Sequence, residues 1–327
     1  MILHSLRAAF ALALVVLFAP RAQAQAPYPN QGIRFIVPYA PGGLPDTVAR
    51  ITAQHLQERI GQSVVVENRA GGGAAAAVSA LMGAPADGYT FIVTDGTIVS
   101  TNPAMFKQLS YNPKDIVPLA LFGSTPQFLA AHPDLPVSTL REFVDYVKAH
   151  PGQINYGSSG VGSIHHLAME ALKAPLKLEM THIPYRGTGQ SVPALLGGHV
   201  QVLFSAYPSL VGPVESKKVK LLANSGAGRW FQAPDVPPIS EVIPGYDLTT
   251  IVGLYGRPGL PQPIADKIAD KIAAEAIAAV NTPEAKKQLT AAGIEPTGGN
   301  AGVFEKALKR EIDNINAVVK SAGIEPE

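Results

Sequence analysis

The sequence predicts a two-lobed α/β protein, and three observations carry that reading. Short apolar, β-rich runs alternate with helix-period patterns almost to the C-terminus, an order that builds parallel sheets with helices on both faces. The chain has 327 residues, or 303 once a 24-residue leader is subtracted (327 − 24 = 303), more than one compact core usually holds. No Ser/Gly- or Pro-rich linker and no internal repeat divides it, so the lobes are expected to be joined by crossing strands rather than by a tether.

The elements follow in order. Arg7, the apolar stretch Phe10 to Ala19 and Ala22-Gln23-Ala24 read as the n-region, h-region and cleavage site of a signal peptide over 1–24, which implies export to a periplasm. Ile33 to Val37 reads as a buried strand ended by Pro38. Asp46 is placed to cap the helix that carries Val48, Ile51, Leu56 and Ile60 to Gly61. Val64–Val66, Phe91–Val93 and Leu119–Phe122 read as further strands, with a Gly/Ala run at 71–77 between the first two. Thr139 and Glu142 form a capping box for a helix that ends at His150-Pro151-Gly152. Strands are expected near 154–156, 180–183, 200–204 and 219–223, with helices opened by Ser163 and by Ser191-Val192-Pro193. A strand near Thr250–Leu254 leads to a helix begun at Pro263, and an amphipathic helix closes the chain from about Ala301 to Ala322. Crossings are placed near 123–127 and 250–253, which divides the chain into 25–124 with 253–327 (lobe 1) and 125–252 (lobe 2).

Composition narrows the partners. Losing Arg7 and Arg21 with the leader leaves 24 basic against 25 acidic side chains, a net charge of −1 that does not suit a nucleic-acid surface. There is no cysteine, hence no disulfide, no thiolate ligand and no lipid attachment by that route. A monomer without cofactor, metal or membrane insertion is expected.

Ligands of open α/β sheets sit beyond the carboxyl ends of strands, where loops enter helix N-termini. Three such corners are rich in small residues. Pro38 to Asp46 brings Tyr39, Ala40, Gly42 and Gly43 to a helix start, where backbone N–H groups suit an anion. Asp46 there either binds ligand or only caps its helix. Tyr156 to Ser163 offers Ser158, Gly160, Gly162 and Ser163 as uncharged donors. Pro184 to Gly189 presents Tyr185, with Arg186 either pairing with a ligand or simply solvated. Such donors contribute ~1.5–3 kcal/mol each to a charged group, enough for micromolar capture without a buried cation. The nucleophile-elbow, phosphate-loop and H-E-x-x-H patterns are all missing, and Gly71-Gly72-Gly73 lacks a supporting dinucleotide-binding element. His165-His166 beside Ser163 has no evident carboxylate partner for a triad.

These residues resemble the periplasmic substrate-binding receptors of tripartite tricarboxylate transporters, the Bordetella-type uptake (Bug) family. The likeness runs through Ile36 to Gly43, Val66 to Gly71, Pro85 to Thr90, Asn155 to Ser163 with His166-Leu167, His182 to Gly187, Leu195 to Gly198 and Pro234 to Pro237. It implies a type II periplasmic-binding-protein fold with two lobes and a ligand cleft between them. It further implies that the first two corners hold carboxylates, partly through water, and that the segment near Asp95–Thr97, Tyr185 and the 204–207 turn line the cleft; His166 and Ser205 are also placed among the ligand-binding residues. The chain departs from the family pattern at Leu44-Pro45, at Ser205 where an aspartate is common, and at Ile251 where a tryptophan is common. A less acidic, more apolar pocket follows, suited to a dicarboxylate with an apolar middle or an aromatic acid, delivered to transporter membrane subunits. Two other roles share these features: a ligand-presenting partner of a membrane kinase, and a secreted hydrolase of carboxylate esters or amides.

Overall fold

The computed structural model describes residues 28–259 and 264–326, with side chains described outside 264–270. The leader reading over 1–24 and the helix start at Pro263 lie outside those residues. Gln31–Glu327 forms one unit built on two sheets.

The first sheet contains β1 (Ile33–Val37), β2 (Val64–Asn68), β3 (Thr90–Asp95), β4 (Val117–Thr125), β10 (Thr250–Gly256) and β11 (Glu295–Asn300), ordered β11-β4-β10-β3-β1-β2. β1 lies parallel to β2 and β3, while β10 runs antiparallel to β3 and β4. The second sheet contains β5 (Gln127–Ala131), β6 (Asn155–Ser158), β7 (Thr181–Pro184), β8 (Val202–Ala206) and β9 (Lys220–Asn224), ordered β7-β6-β8-β5-β9. β6 is parallel to β7 and β8, and β5 is antiparallel to β8 and β9.

The chain passes from one sheet to the other at Pro126, between β4 and β5, and returns through 248–250 into β10. The two passages touch. Thr125 pairs with Thr250 in the β4–β10 register, and the Gln127 Nε2 donates to Thr250 Oγ1 at 2.7 Å. Ser225 ties both passages to the second sheet, accepting from the Gln127 N–H at 2.8 Å and donating to the Leu248 carbonyl at 3.0 Å. These bonds are buried, and they fix where the chain bends.

Local chemistry explains the helices that carry the site. α1 (Leu44–Ile60) ends at Gly61, whose left-handed φ of 67° lets its N–H close on the Gln57 carbonyl. Its start corrects the expectation for Asp46: the helix begins at Leu44 after Gly43, and Asp46 sits inside the first turn. Pro45 is tolerated there because first-turn N–H groups have no helical acceptor. α2 (Ala75–Gly83) follows the glycine run, and the short α3 (Thr101–Met105) follows β3. α4 (Leu140–Ala149) begins as expected, with Thr139 Oγ1 accepting from the Glu142 N–H at 3.1 Å. α5 (Ile164–Leu176) is capped by Ser163. α6 (Thr188–Leu196) opens three residues before the expected Ser191, because Gly187 at φ 141° makes the turn.

After α7 (Val211–Glu215), α8 (Ile264–Val280) and α9 (Pro283–Ala291), the terminal α10 (Ala301–Ser321) joins both cores. Phe304 and Leu308 pack with Ile36, Ile92 and Tyr255 under the first sheet, while Ile315 and Val318 pack with Leu129, Leu167 and Phe204 under the second. One amphipathic helix therefore buries its two halves against different sheets, a third tie besides the crossing strands.

Candidate binding site in the cleft

The first corner is braced from behind. The Asp46 carboxylate accepts from the Gly42 N–H, Arg50 Nε and Asn68 Nδ2, each at 3.0 Å. Burial alone would raise its pKa, but these donors outweigh it and hold the group below the ordinary aspartate value. Asn68 Nδ2 also donates to the Tyr39 carbonyl at 3.0 Å. Asp46 thus fixes the loop that Gly42, at φ 89°, turns through. Ahead of it the Tyr39 hydroxyl donates to Asp95 Oδ1 at 3.2 Å, and the Thr97 N–H donates to the same oxygen at 3.1 Å. Desolvation raises the pKa of both Asp95 and Tyr39.

The second corner is braced by neutral groups. Ser158 Oγ pairs with His182 Nε2 at 2.6 Å and accepts from the Gly160 N–H at 3.0 Å. Ser163 Oγ donates to the Gly160 carbonyl at 2.7 Å while accepting from the His166 N–H. His166 accepts from the Gly162 N–H at 3.3 Å and stacks on His182, whose other face stacks on Tyr156. Ser159 Oγ pairs with His165 Nδ1 at 2.7 Å. Desolvation pushes His165 down to about 4 and, with help from the neighbouring His166, pushes His182 down to about 4.

The third corner meets the first. The Ala40 N–H donates to the Arg186 carbonyl at 3.2 Å, and Ser209 Oγ donates to the Gly42 carbonyl at 3.2 Å. The contact is tight enough that a Cβ on Gly189 would stand 2.1 Å from the Pro41 carbonyl oxygen, and one on Gly162 2.2 Å from the Phe106 ring.

Between the corners lies a cavity of about 520 Å³ lined from both sheets. Of the residues singled out in the sequence, Tyr39, Thr97, Gly160, Ser163, Tyr185 and Arg186 line it. Gly43 lines a chamber of only about 10 Å³, which shares Tyr39 and Ser159 with the larger one. Ala40 and Gly42 lie in the seam between the corners. Asp46, Ser158, Gly162, His166 and Ser205 stand behind the lining, and Ser205 is fully buried with its hydroxyl on the Ala206 carbonyl.

The rest of the lining escapes the sequence reading: Gly71 to Ala74, Asn102, Phe106 and Gln108 to Tyr111. The glycine run is the readable signal. Gly71, Gly72 and Gly73 adopt φ of 118°, 60° and 58°, conformations that a ligand-facing turn after β2 requires of glycine. Asn102 Nδ2 holds this turn by donating to the Gly73 carbonyl at 2.7 Å and to the Tyr111 hydroxyl at 2.8 Å. Burial raises the Tyr111 pKa to about 12, so it stays a neutral hydroxyl. The lining carries one charged residue, Arg186, and no carboxylate. The Ser159–His165 pair has the geometry of a nucleophile and base. No acid among the described residues orients His165, however, and a base near 4 takes a serine proton poorly.

The family model described as "Tripartite tricarboxylate transporter family receptor" matches residues 48–324. The chain belongs to that family. Among curated relatives of this receptor, a UPF0065 protein of Bordetella pertussis is 30% identical over 301 residues, 92% of each chain. Three solved structures align closely. The periplasmic binding protein BugD has a TM-score of 0.85 at 27% identity, covering 92% of this chain and all of that one. Rpa4515 of R. palustris with adipate has 0.85 at 30%, covering 92% and 100%. MatC of Rhodopseudomonas palustris with bound malate has 0.82 at 30%, covering 89% and 100%. The receptor therefore has the two-lobed periplasmic-binding-protein fold and is a periplasmic solute-binding protein of the Bug type, in a group of binding proteins rather than enzymes. Among the described residues no helix is long and apolar enough to cross a membrane.

Proposed function

We propose that the receptor captures a small carboxylate, with dicarboxylates and aromatic acids favoured, and delivers it unchanged to the membrane subunits of a tripartite tricarboxylate-type transporter. The observation that carries this reading is the cavity. It is lined from both sheets by uncharged polar groups that include the donors Thr97, Ser159 and Tyr185, contains no carboxylate, and has an apolar and aromatic wall of Phe106, Leu109, Tyr111 and Val161. Donors of this kind stabilise an anion, and the wall gives an aliphatic or aromatic spacer a surface to bury. The adipate and malate carried by two structural relatives are acids of this class.

The lobes, divided near Pro126 and Thr249, close on the ligand, because each supplies part of its hydrogen bonds and bound ligand favours the closed form. Export follows from the leader at 1–24. Calorimetric titration of the mature protein with adipate, phthalate, aspartate and glutamate tests the reading. Adipate or phthalate should bind at micromolar concentration and be recovered unaltered by mass spectrometry. Tighter binding of aspartate or glutamate, whose ammonium finds no acidic partner on this lining, would overturn the ligand class, and a hydrolysed ester or amide would restore the enzyme reading.

A further inference from the structure

The cavity's charge is concentrated at one residue, Arg186, which is exposed, lines the cavity, and follows Tyr185 at the end of β7. Its main chain is clamped on both sides: the N–H donates to Gln190 Oε1 at 3.2 Å, and the carbonyl accepts the Ala40 N–H from the opposite lobe at 3.2 Å. Gly187, next in sequence, lies so close to the first corner that a Cβ there would come within 2.9 Å of the Ala40 nitrogen. The position of the Arg186 backbone is thus set by contact between the lobes.

The side chain, by contrast, has nothing to do within the protein. Its guanidinium makes no hydrogen bond or ion pair with the described residues, a state it shares with the exposed Arg141 and Arg310, but of these three it alone lines the cavity. The lining offers it no acid. A ligand carboxylate is the group that would complete it, since a planar guanidinium matches a carboxylate with two parallel N–H···O bonds.

We infer that Arg186 is the specificity-determining residue for a second carboxylate, so that the ligand is a dianion whose one end rests on uncharged donors and whose other end meets this guanidinium. The inference rests on the carboxylate-receptor reading and sharpens it. It selects dicarboxylates over aromatic monoacids, and it joins charge recognition to closure, because the Ala40–Arg186 bond brings the residue to the cleft. Uncharged donors alone hold one carboxylate without a counter-charge. They supply nothing that distinguishes a dianion from its half-ester, and Arg186 does.

The test titrates wild type and Arg186→Gln with the linear dicarboxylates from succinate to suberate and with the monomethyl ester of each. Glutamine keeps both main-chain bonds and removes the charge. Thermal melting checks that the variant is folded. For the best dicarboxylate, wild type should bind the diacid about tenfold more tightly than the half-ester, between the worth of an exposed ion pair and that of a charge-assisted bond out of water. Arg186→Gln should erase that ratio to within twofold, leave the half-ester unchanged, and flatten the salt dependence of diacid binding. An unchanged ratio, or an equal loss for diacid and half-ester, overturns the assignment while the receptor reading stands. The assignment also falls if wild type binds aromatic monoacids such as benzoate and none of the diacids. Failure of wild type to bind any acid in the set removes both.

Discussion

The two faces of the cleft solve one problem by opposite means. Each must hold a strand-to-helix corner rigid with polar groups that are themselves out of water. The first-sheet face does so with carboxyls. Asp46 braces the Tyr39–Gly43 loop, Asp95 holds Tyr39 and Thr97, and Glu311 of α10 lies beneath the Gly96 turn. The second-sheet face uses hydroxyls and imidazoles: Ser158 with His182, Ser159 with His165, and Gly162 with His166. Asp46 is held ionised by its donors, but desolvation raises Asp95 and Glu311 on the first face and lowers His165 and His182 on the second, so these groups respond to pH in opposite directions. Stability should be greatest where neither is forced to charge.

The largest effect expected is on the first face. Glu311 is half-buried against Ser100, close to Asp95 and Tyr255, and desolvation, reinforced by the Asp95 charge, raises it to about 8 from an ordinary 4.5. The geometry agrees. Ser100 Oγ lies 2.8 Å from the Gly96 carbonyl and 2.5 Å from Glu311 Oε1. A hydroxyl has one proton, and if it goes to the carbonyl, a protonated Glu311 completes the pair by donating to Ser100. Gly96 leaves room for this, since a Cβ there would fall 1.8 Å from Oε1. A carboxyl whose folded pKa is raised contributes stability that is fully present below 4.5 and is lost as pH rises towards about 8, a loss of order 4 kcal/mol. Glu311→Gln keeps a donor for Ser100 and cannot ionise. Urea unfolding at pH 6 and pH 8 should show wild type weakening across that interval and the variant much less. Parallel curves would mean that the carboxyl ionises freely in the folded protein.

The second face should fail in acid. His165 has its folded pKa lowered to about 4 from 6.5, so its contribution is fully present above pH 6.5 and is lost as pH falls through 4. The expected loss is roughly 3 kcal/mol, somewhat less than on the first face. His165→Gln keeps a hydrogen-bonding partner for Ser159 while removing the titration. Its unfolding free energy should change less than that of wild type between pH 6.5 and 4.5. An equal slope would show that His165 is protonated inside the fold, and the contrast between the faces would be lost.

These two networks also mark the limit of what the chain reveals before it folds. The sheets are legible because Ile33–Val37 or Phe91–Val93 advertise themselves by runs of β-branched and aromatic residues, and the capping residues Thr139 and Ser163 by their position ahead of an apolar pattern. β5 is hidden because Gln127–Ala131 is buried on both faces and carries two alanines and a glutamine, with neither alternation nor β-branching. β11 is hidden because Glu295–Asn300 contains a proline and two glycines, tolerable only because it is an edge strand with an irregular pairing to β4. In the site, the corners are readable from glycine and serine. Their braces are not: Ser158 and His182, or Ser100 and Glu311, are joined by folding across 24 and 211 positions. Nor is the wall from Phe106 to Tyr111, which follows a five-residue helix and has no period to read.

The smallest effect tests how the faces meet rather than how each is built. Gly189 is the second residue of α6 and has ordinary helical backbone, so alanine there is favourable to the helix by up to about 1 kcal/mol. In the closed seam, however, its Cβ would stand 2.1 Å from the Pro41 carbonyl oxygen, a main-chain atom that cannot rotate aside. Gly189→Ala therefore separates closure from folding, which Gly187→Ala would not, because Gly187 sits at a φ of 141° that alanine resists. The variant should melt within a degree or two of wild type and bind the preferred acid about tenfold more weakly, a difference of ~1.4 kcal/mol. If affinity is unchanged, the seam between Pro41 and Gly189 is not part of the bound form, and the two faces hold their ligand without coming into contact.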